Sequence, residues 1–362
     1  MSLADSSAAG QRPELPGSSS SRMKEKPQKH WVTSSDVALR AGVSRSAVSR
    51  AFSPTASIAP ETRERVMKAA QALGYQVNMI AREMNMQRSS MVGVVTAGFE
   101  NPFRAKLLSH IITSLSGHAL TPLVLNAEDP HQIQHSLEVL LSYRIAGMIM
   151  TSASPPVALA RQYLKSRIPV TMINRAANLP GADVVLSDNV SGASNAVRML
   201  TGAGAQQLIF VGPAKTSYSA RARGAAFGRA IKRSRSGDAV FMGIHVSASD
   251  DYESGVAAAH AIFAAAPRPD GVFCSSDLLA LGLIDTARHR YGLQVPGDVF
   301  VVGFDDIPAS SYANYQLTTI RQDTQALANT AVDLLVDRIG TFPGDSRTRI
   351  VPVEAVVRKS CA

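Results

Sequence analysis

From Met91 onward, short apolar runs alternate with helical stretches, and this alternation constrains the fold more than any other feature of the 362-residue chain. Strand-like runs fall at 92–96, 123–125, 148–150, 170–173, 184–186, 208–211, 271–273 and 299–304. Between most of them the helical periodicity fits stretches near 103–117, 131–143, 156–166, 190–203, 218–235, 252–265 and 277–290. Strand–helix alternation on this scale predicts parallel sheets joined by right-handed crossovers. About 270 residues exceed one comfortable doubly wound sheet, so the pattern predicts two lobes.

The first quarter of the chain reads differently. Residues 1–90 hold 13 Lys and Arg against 7 Asp and Glu, while the other 272 hold 24 against 21. A basic segment beside a near-neutral one points to a polyanionic partner for the first alone. Residues 1–30 are polar and rich in Ser and Pro, lack periodicity and are expected to be a disordered tail. That tail has no continuous apolar stretch of the kind a secretory signal needs. No apolar run in the chain reaches the roughly 18 residues of a membrane span. Cys274 and Cys361 are too far apart in sequence for a metal or redox motif, which fits a reduced cytoplasm.

Residues 31–77 read as three short helices. The first starts near Ser34 or Ser35 as N-cap, carries Val37, Ala38 and Ala41 on its apolar stripe, and stops at Gly42. The second follows after three residues with Ser44 as N-cap and Ala47, Val48 and Ala51 facing inward. The third opens at Pro60 and runs through Val66, Ala69, Ala70 and Leu73 to Gly74. Two short helices about a tight glycine turn can set the second in the DNA major groove. Its outer face offers Arg45, Ser46, Ser49 and Arg50. A forked arginine can bridge guanine O6 and N7, and Ser44 and Ser49 are short enough to reach phosphates. A solubilising face on an ordinary helical hairpin is the alternative, but it does not account for caps, turn glycine and arginines agreeing in position. Residues 78–86 read as a nine-residue helical stretch, too short to hold alone in water and therefore expected to depend on a partner surface.

The run from Val32 to Arg50 resembles the headpiece of the lactose/galactose repressor family. The later blocks Val302-Gly303-Phe304-Asp305-Asp306 and Thr318-Thr319-Ile320-Arg321-Gln322 are similar to that family's effector domain, and the resemblance extends over about 31–358. It implies a three-helix helix-turn-helix headpiece over 31–77 and a hinge helix and linker over 78–90. A two-lobed, periplasmic-binding-protein-like α/β effector domain over 91–358 would follow. Lobe 1 would take about 91–186 plus 323–350, and lobe 2 about 187–321 plus 351–358. The crossings would fall near Ser187, Gln322 and a last strand around Val351.

By the same resemblance Thr33, Ser44, Arg45, Ser46, Ser49 and Arg50 would contact DNA, with Arg45, Ser46 and Arg50 at base-reading positions. Asn78, Ala81 and Met84 would act from the hinge, where Met84 stands at the family's leucine wedge. Val77 replaces a common proline and Ala59 a common polar cap, which leaves Pro60 to set the start of the third helix.

In doubly wound folds ligands sit beyond the carboxyl ends of strands. Asn101, Phe103, Asn174, Arg175, Asp188, Asn189, Asp305 and Asp306 all follow strand runs directly, and Arg223 lies in the helix after 208–211. The family's effector contacts would correspond to Phe103, Arg175, Asp188, Ser219, Arg223, Ser276, Asp305 and Gln322. Carboxylates that accept hydroxyl hydrogens, together with forked arginine donors, suit a polyhydroxylated ligand, a sugar or sugar acid. Structural ion pairs between the lobes are the alternative role for Asp188, Arg223 and Asp305.

The expected function is a sequence-specific transcriptional regulator, a homodimer on a pseudo-palindromic operator, tuned by a small effector and working in the cytoplasm. It would carry no catalytic residues, metal or cofactor. Gly202-Ala203-Gly204 begins like a dinucleotide fingerprint but precedes a strand and lacks the third glycine. In Gly212-Pro213-Ala214-Lys215-Thr216, Ala214 stands where a phosphate loop needs its second glycine. Neither a His-Glu-x-x-His nor a Gly-x-Ser-x-Gly motif occurs, and His110, His118, His131 and His135 lack zinc-ligand spacing. The competing classes are a sugar-modifying α/β enzyme and a sugar-binding protein without operator specificity. The first lacks a motif; the extra basic headpiece argues against the second.

Overall fold

The computed structural model describes residues 31–53, 56–77, 89–151, 157–175, 179–234 and 239–362. They fall into two compact units.

The first unit holds α1 (Ser34–Ala41), α2 (Arg45–Ala51) and α3 (Pro60–Leu73). Val37, Ala38, Val48, Ala51, Val66 and Ala70 form its small core, closed by Phe52 against Tyr75 with ring centroids 5.6 Å apart. The N-cap of α1 is Thr33, not Ser34 or Ser35. Asp36 explains the difference. Its carboxylate accepts the Thr33 backbone N–H at 2.8 Å while Thr33 Oγ1 accepts the Asp36 N–H at 3.4 Å, a reciprocal capping box. Capping from Ser34 or Ser35 would put Val37 or Ala38 at the reciprocating position, and neither has an acceptor. Gly42 ends α1 at φ 63°, a conformation L side chains rarely adopt. Pro60 opens α3 after an Ala59 that makes no side-chain cap, as the sequence predicts. Arg63 of α3 donates to the carbonyls of Ala51 and Ala56, at 2.5 and 3.2 Å, and so pins the end of α2.

The second unit is built on two six-stranded sheets. The first takes β1 (Met91–Thr96), β2 (Thr121–Asn126), β3 (Gly147–Met150), β4 (Val170–Ile173), β5 (Asp183–Ser187) and β11 (Thr348–Val351) in the order β11-β5-β4-β3-β1-β2, all parallel. The second takes β6 (Gln207–Gly212), β7 (Val240–Val246), β8 (Gly271–Cys274), β9 (Phe300–Asp305), β10 (Thr318–Gln322) and β12 (Val353–Val356) in the order β12-β10-β9-β8-β6-β7. Only β12 in that sheet runs antiparallel. Helices α4 (Pro102–Gly117), α5 (Pro130–Ser142), α6 (Val157–Lys165) and α11 (Thr324–Arg338) serve the first sheet. The second is served by α7 (Asn189–Gly202), α8 (Tyr218–Arg233), α9 (Tyr252–Phe263) and α10 (Asp277–Tyr291). The chain passes between the sheets after β5, after β10 and between β11 and β12.

Two features set the geometry at the strand ends. Helices α9 and α10 lie backbone to backbone: a Cβ on Gly255 would stand 2.2 Å from the Leu279 carbonyl oxygen, and one on Gly282 would stand 2.1 Å from that of Tyr252. This close approach brings the first turns of both helices together, and Ser276 Oγ donates to the Asp250 carbonyl at 2.9 Å. The second feature is Asp183 at the start of β5. Its buried carboxylate accepts from Arg338 of α11 at 2.9 and 3.0 Å, and from the Arg347 side chain and backbone at 2.7 and 2.8 Å.

Burial opposes the charge on Asp183, but the hydrogen bonds from Arg338 and Arg347 outweigh it and hold the carboxyl below its ordinary value. A depressed folded pKa gives stability that is present above the unfolded value and lost as pH falls through the folded one. Asp183→Asn is therefore expected to cost roughly 3–5 kcal/mol at neutral pH, because two arginines lose their buried counter-charge. Thermal melts across pH test this: the gap between variant and wild type narrows below about pH 4, whereas a gap independent of pH would contradict it.

Candidate functional site

On the headpiece, α2 presents one outward face. Ser44 caps it, its Oγ accepting from the Ala47 N–H at 3.2 Å and lying 2.8 Å from Ser46 Oγ. Ala47, Val48 and Ala51 are buried, and Arg45, Ser46, Ser49 and Arg50 are exposed. Thr33 is exposed at the end of α1, with its hydroxyl also donating to Asp36 at 2.8 Å. Asn78, Ala81 and Met84 lie outside the described residues.

In the second unit a cleft of about 420 Å³ opens at the carboxyl ends of strands from both sheets. Seven of the eight expected effector residues line it: Phe103, Arg175, Ser219, Arg223, Ser276, Asp305 and Gln322. Asp188 is not among the lining residues. Its carboxylate caps α7 instead, accepting the Ser191 N–H at 2.9 Å and the Ser191 hydroxyl at 2.6 Å. Its neighbour Asn189 faces inward and accepts from Arg223 Nε at 2.8 Å.

Arg223 lies in the wall of the cleft. Besides Asn189 it donates to the Ser275 carbonyl at 2.5 Å and stacks 3.4 Å above the Phe304 ring. Burial lowers its pKa to about 10, against the pull of Asp305, Asp250 and Asp277. Burial likewise pushes the Asp305 carboxyl well above the ordinary carboxylate range, against the opposing charge of Arg223. Gln322 donates to Asp305 at 2.6 Å, and its own carbonyl oxygen accepts from Asn174 at 2.9 Å and from the Ser187 hydroxyl. This chain links β9 of one sheet to β4 and β5 of the other through a crossing residue. Asn174 and Asp305 sit at φ 52° and 120°, left-handed values that cost free energy outside glycine and cluster at ligand sites.

The expected set omits Arg104, Glu128, Thr151, Asn174 and Asp250, all of which line the cleft. The sequence marks Asn174 as following a strand, and Arg104 directly follows Phe103. No such signal marks Asp250, which lies beyond the end of β7 (Val240–Val246), a strand whose apolar run is interrupted at Gly243. Among the described residues no group of His, Cys, Asp and Glu could hold a metal ion, and no helix is long and apolar enough to cross a membrane.

A recognition helix on one unit and a ligand cleft between paired sheets on the other define a ligand-responsive DNA-binding protein. Residues 33–78 match the model for bacterial regulatory proteins of the lacI family, and 197–361 match that for a periplasmic binding protein-like domain. The chain is 28% identical over 335 residues to the HTH-type transcriptional repressor PurR of Mannheimia succiniciproducens, covering 91% of this chain and 98% of that one. It is also 28% identical over 343 residues to the repressor CytR of Escherichia coli K12, at 93% and 98% coverage. The Lac repressor dimer bound to operator and the anti-inducer ONPF superimposes with a TM-score of 0.82 at 25% identity, over 92% of this chain and 99% of that one. The chain carries a lacI-family DNA-binding domain followed by a periplasmic binding protein-like domain, and it is a regulator of transcription rather than an enzyme.

Proposed function

We propose that the protein is a cytoplasmic homodimeric repressor that binds a pseudo-palindromic operator and releases or tightens it according to a polyhydroxylated effector, a sugar or sugar acid. The exposed Arg45–Arg50 face, carried on a helix whose other side is the headpiece core, supports the DNA role most directly. In this reading Arg45, Ser46 and Arg50 meet base edges and Ser44 and Ser49 meet phosphates. Thr33 stands at the start of α1, where backbone N–H groups favour a phosphate. Asn78, Ala81 and Met84 act in the minor groove from a hinge and linker over 78–90, after a headpiece over 31–77. The tail over 1–30 takes no part in this reading.

The effector domain spans 91–358, as lobe 1 (about 91–186 plus 323–350) and lobe 2 (about 187–321 plus 351–358). The Asp305–Gln322–Asn174 chain supports a role for the cleft in coupling them, since a ligand hydroxyl bound to Asp305 acts on groups of both lobes at once. Arg175, Ser219, Arg223 and Ser276 supply further donors and acceptors, and Phe103 gives a sugar ring an apolar face. Asp188 acts by holding the first turn of α7.

Selection of duplexes from a random library by the full-length protein tests the DNA role. The expected product is one short sequence with two-fold symmetry. Recovery of no preferred sequence at physiological salt would favour a sugar-binding protein without operator specificity.

A further inference from the structure

Three cations and three carboxylates face the cleft: Arg104, Arg175 and Arg223 against Glu128, Asp250 and Asp305. Their availability to a ligand differs. Arg175 and Arg223 are 8% and 5% exposed and belong to the walls. Glu128 accepts from the Gly98 N–H at 2.8 Å and from Asn126 at 3.1 Å, and Asp305 is engaged by Gln322. Arg104 on α4 keeps 31% of its side chain exposed, and it meets Asp250, from the loop after β7, at 2.7 Å. Among the described residues this is the one ion pair whose partners come from different lobes.

Arg104 lies over the turn after β1: its Nη1 donates to the Ala97 carbonyl at 3.4 Å and stands where a Cβ on Gly98 would come within 2.2 Å of it. Asp250, itself 30% exposed, takes the other terminal nitrogen, Nη2, of that guanidinium. The first turns of α8 and α10 end at the same cleft through Ser217 and Ser276, adding the positive ends of two helices.

We propose that Arg104 selects the charge of the effector: the ligand is a sugar carrying a carboxylate or phosphate, and that group exchanges with the Asp250 carboxylate on the Arg104 guanidinium. Asp250 offers the charge and paired oxygens that such a group would present. A pair one-third exposed to water is held weakly enough to be exchanged. The effector's anion takes over Arg104 while its hydroxyls meet Asp305, so the direct charge tie between the lobes is replaced by one that runs through the ligand. This rests on the sugar-class reading of the cleft and narrows it to the anionic members.

Calorimetric titration of the full-length protein with gluconate, galacturonate and glucose 6-phosphate, each beside its neutral parent sugar, tests the exchange. At least one anion is expected to bind about tenfold or more tightly than its parent, and the member that does so separates carboxylate from phosphate recognition. Arg104→Gln removes that preference, and Asp250→Asn enlarges it by removing the competing carboxylate. Should Arg104→Gln fail to fold, Asp250→Asn carries the test alone. A neutral sugar bound as tightly as its acid, or equal weakening of both by Arg104→Gln, overturns the charge selection and leaves the polyol reading standing. Binding of no probe of either kind overturns both and leaves the operator reading untouched.

Discussion

Asp305→Ala is expected to abolish the response of the operator complex to its effector. Three consequences act together. The cleft loses its acceptor for ligand hydroxyls, each such charge-assisted bond being worth about 1.5–3 kcal/mol. Gln322 loses its acceptor, and with it the chain that runs on to Asn174 is released at one end. Arg223, whose charged form burial already disfavours, loses the strongest of the charges that favour it. Loss of one such ligand bond alone weakens the effector about 10- to 150-fold, and with the other two losses the response disappears at effector concentrations that saturate the wild type. Gel-shift titration of the operator complex with effector reads the response directly. A dose–response matching wild type would contradict the assignment of Asp305.

Arg45→Ala is expected to relax the operator preference at one base pair in each half-site. The exposed start of α2 can set the guanidinium against a guanine, and loss of such a forked contact costs roughly 1–3 kcal/mol per site in discrimination. A two-fold dimer carries two such sites, so the effect on a symmetric operator doubles. Affinities for a set of duplexes varied at single positions check this. A fall of equal size across every duplex would instead make Arg45 a phosphate contact, with a shallower salt dependence as its signature.

Much of this architecture is legible in the residues because local signals agree. Gly42, Ser44 and Pro60 mark helix ends that the structure keeps, and the eight apolar runs all fall on strands of the two sheets. Strands β10, β11 and β12 lack the apolar run of a buried one, and in β7 the run Val240-Phe241-Met242 is interrupted at Gly243. Strand β7 lies at a sheet edge, with Gly243 at φ 120° in a register shift against β6 that breaks its alternation. Strand β10 buries Thr318 and Thr319, polar residues tolerated because Arg358, Ser360 and Asp277 bond them. The last strand expected around Val351 is two, divided at Pro352, so that β11 and β12 enter different sheets. Helix α11 has its own apolar stripe, Leu327, Ala331, Val332 and Leu335, but no strand run precedes it to set the alternation.

The site shows the same limit. Residues just after strands are found by counting along the chain, and most reach the cleft. Counting alone cannot separate Asp188, whose carboxylate turns back to cap its own helix, from Asn189, which points inward to Arg223. The meeting of Arg104 with Asp250 depends on two lobes closing over one space, across 146 residues of sequence, and no local pattern encodes that.

Operator and effector must be linked through the protein if the cleft governs DNA binding. The decisive measurement is the affinity of the full-length protein for its selected operator at fixed salt, with and without saturating effector. The effector's affinity is measured alongside, with and without operator. The two ratios are expected to be equal and to differ from one by about 5- to 150-fold. An operator affinity unchanged by a ligand shown to occupy the cleft would contradict the account.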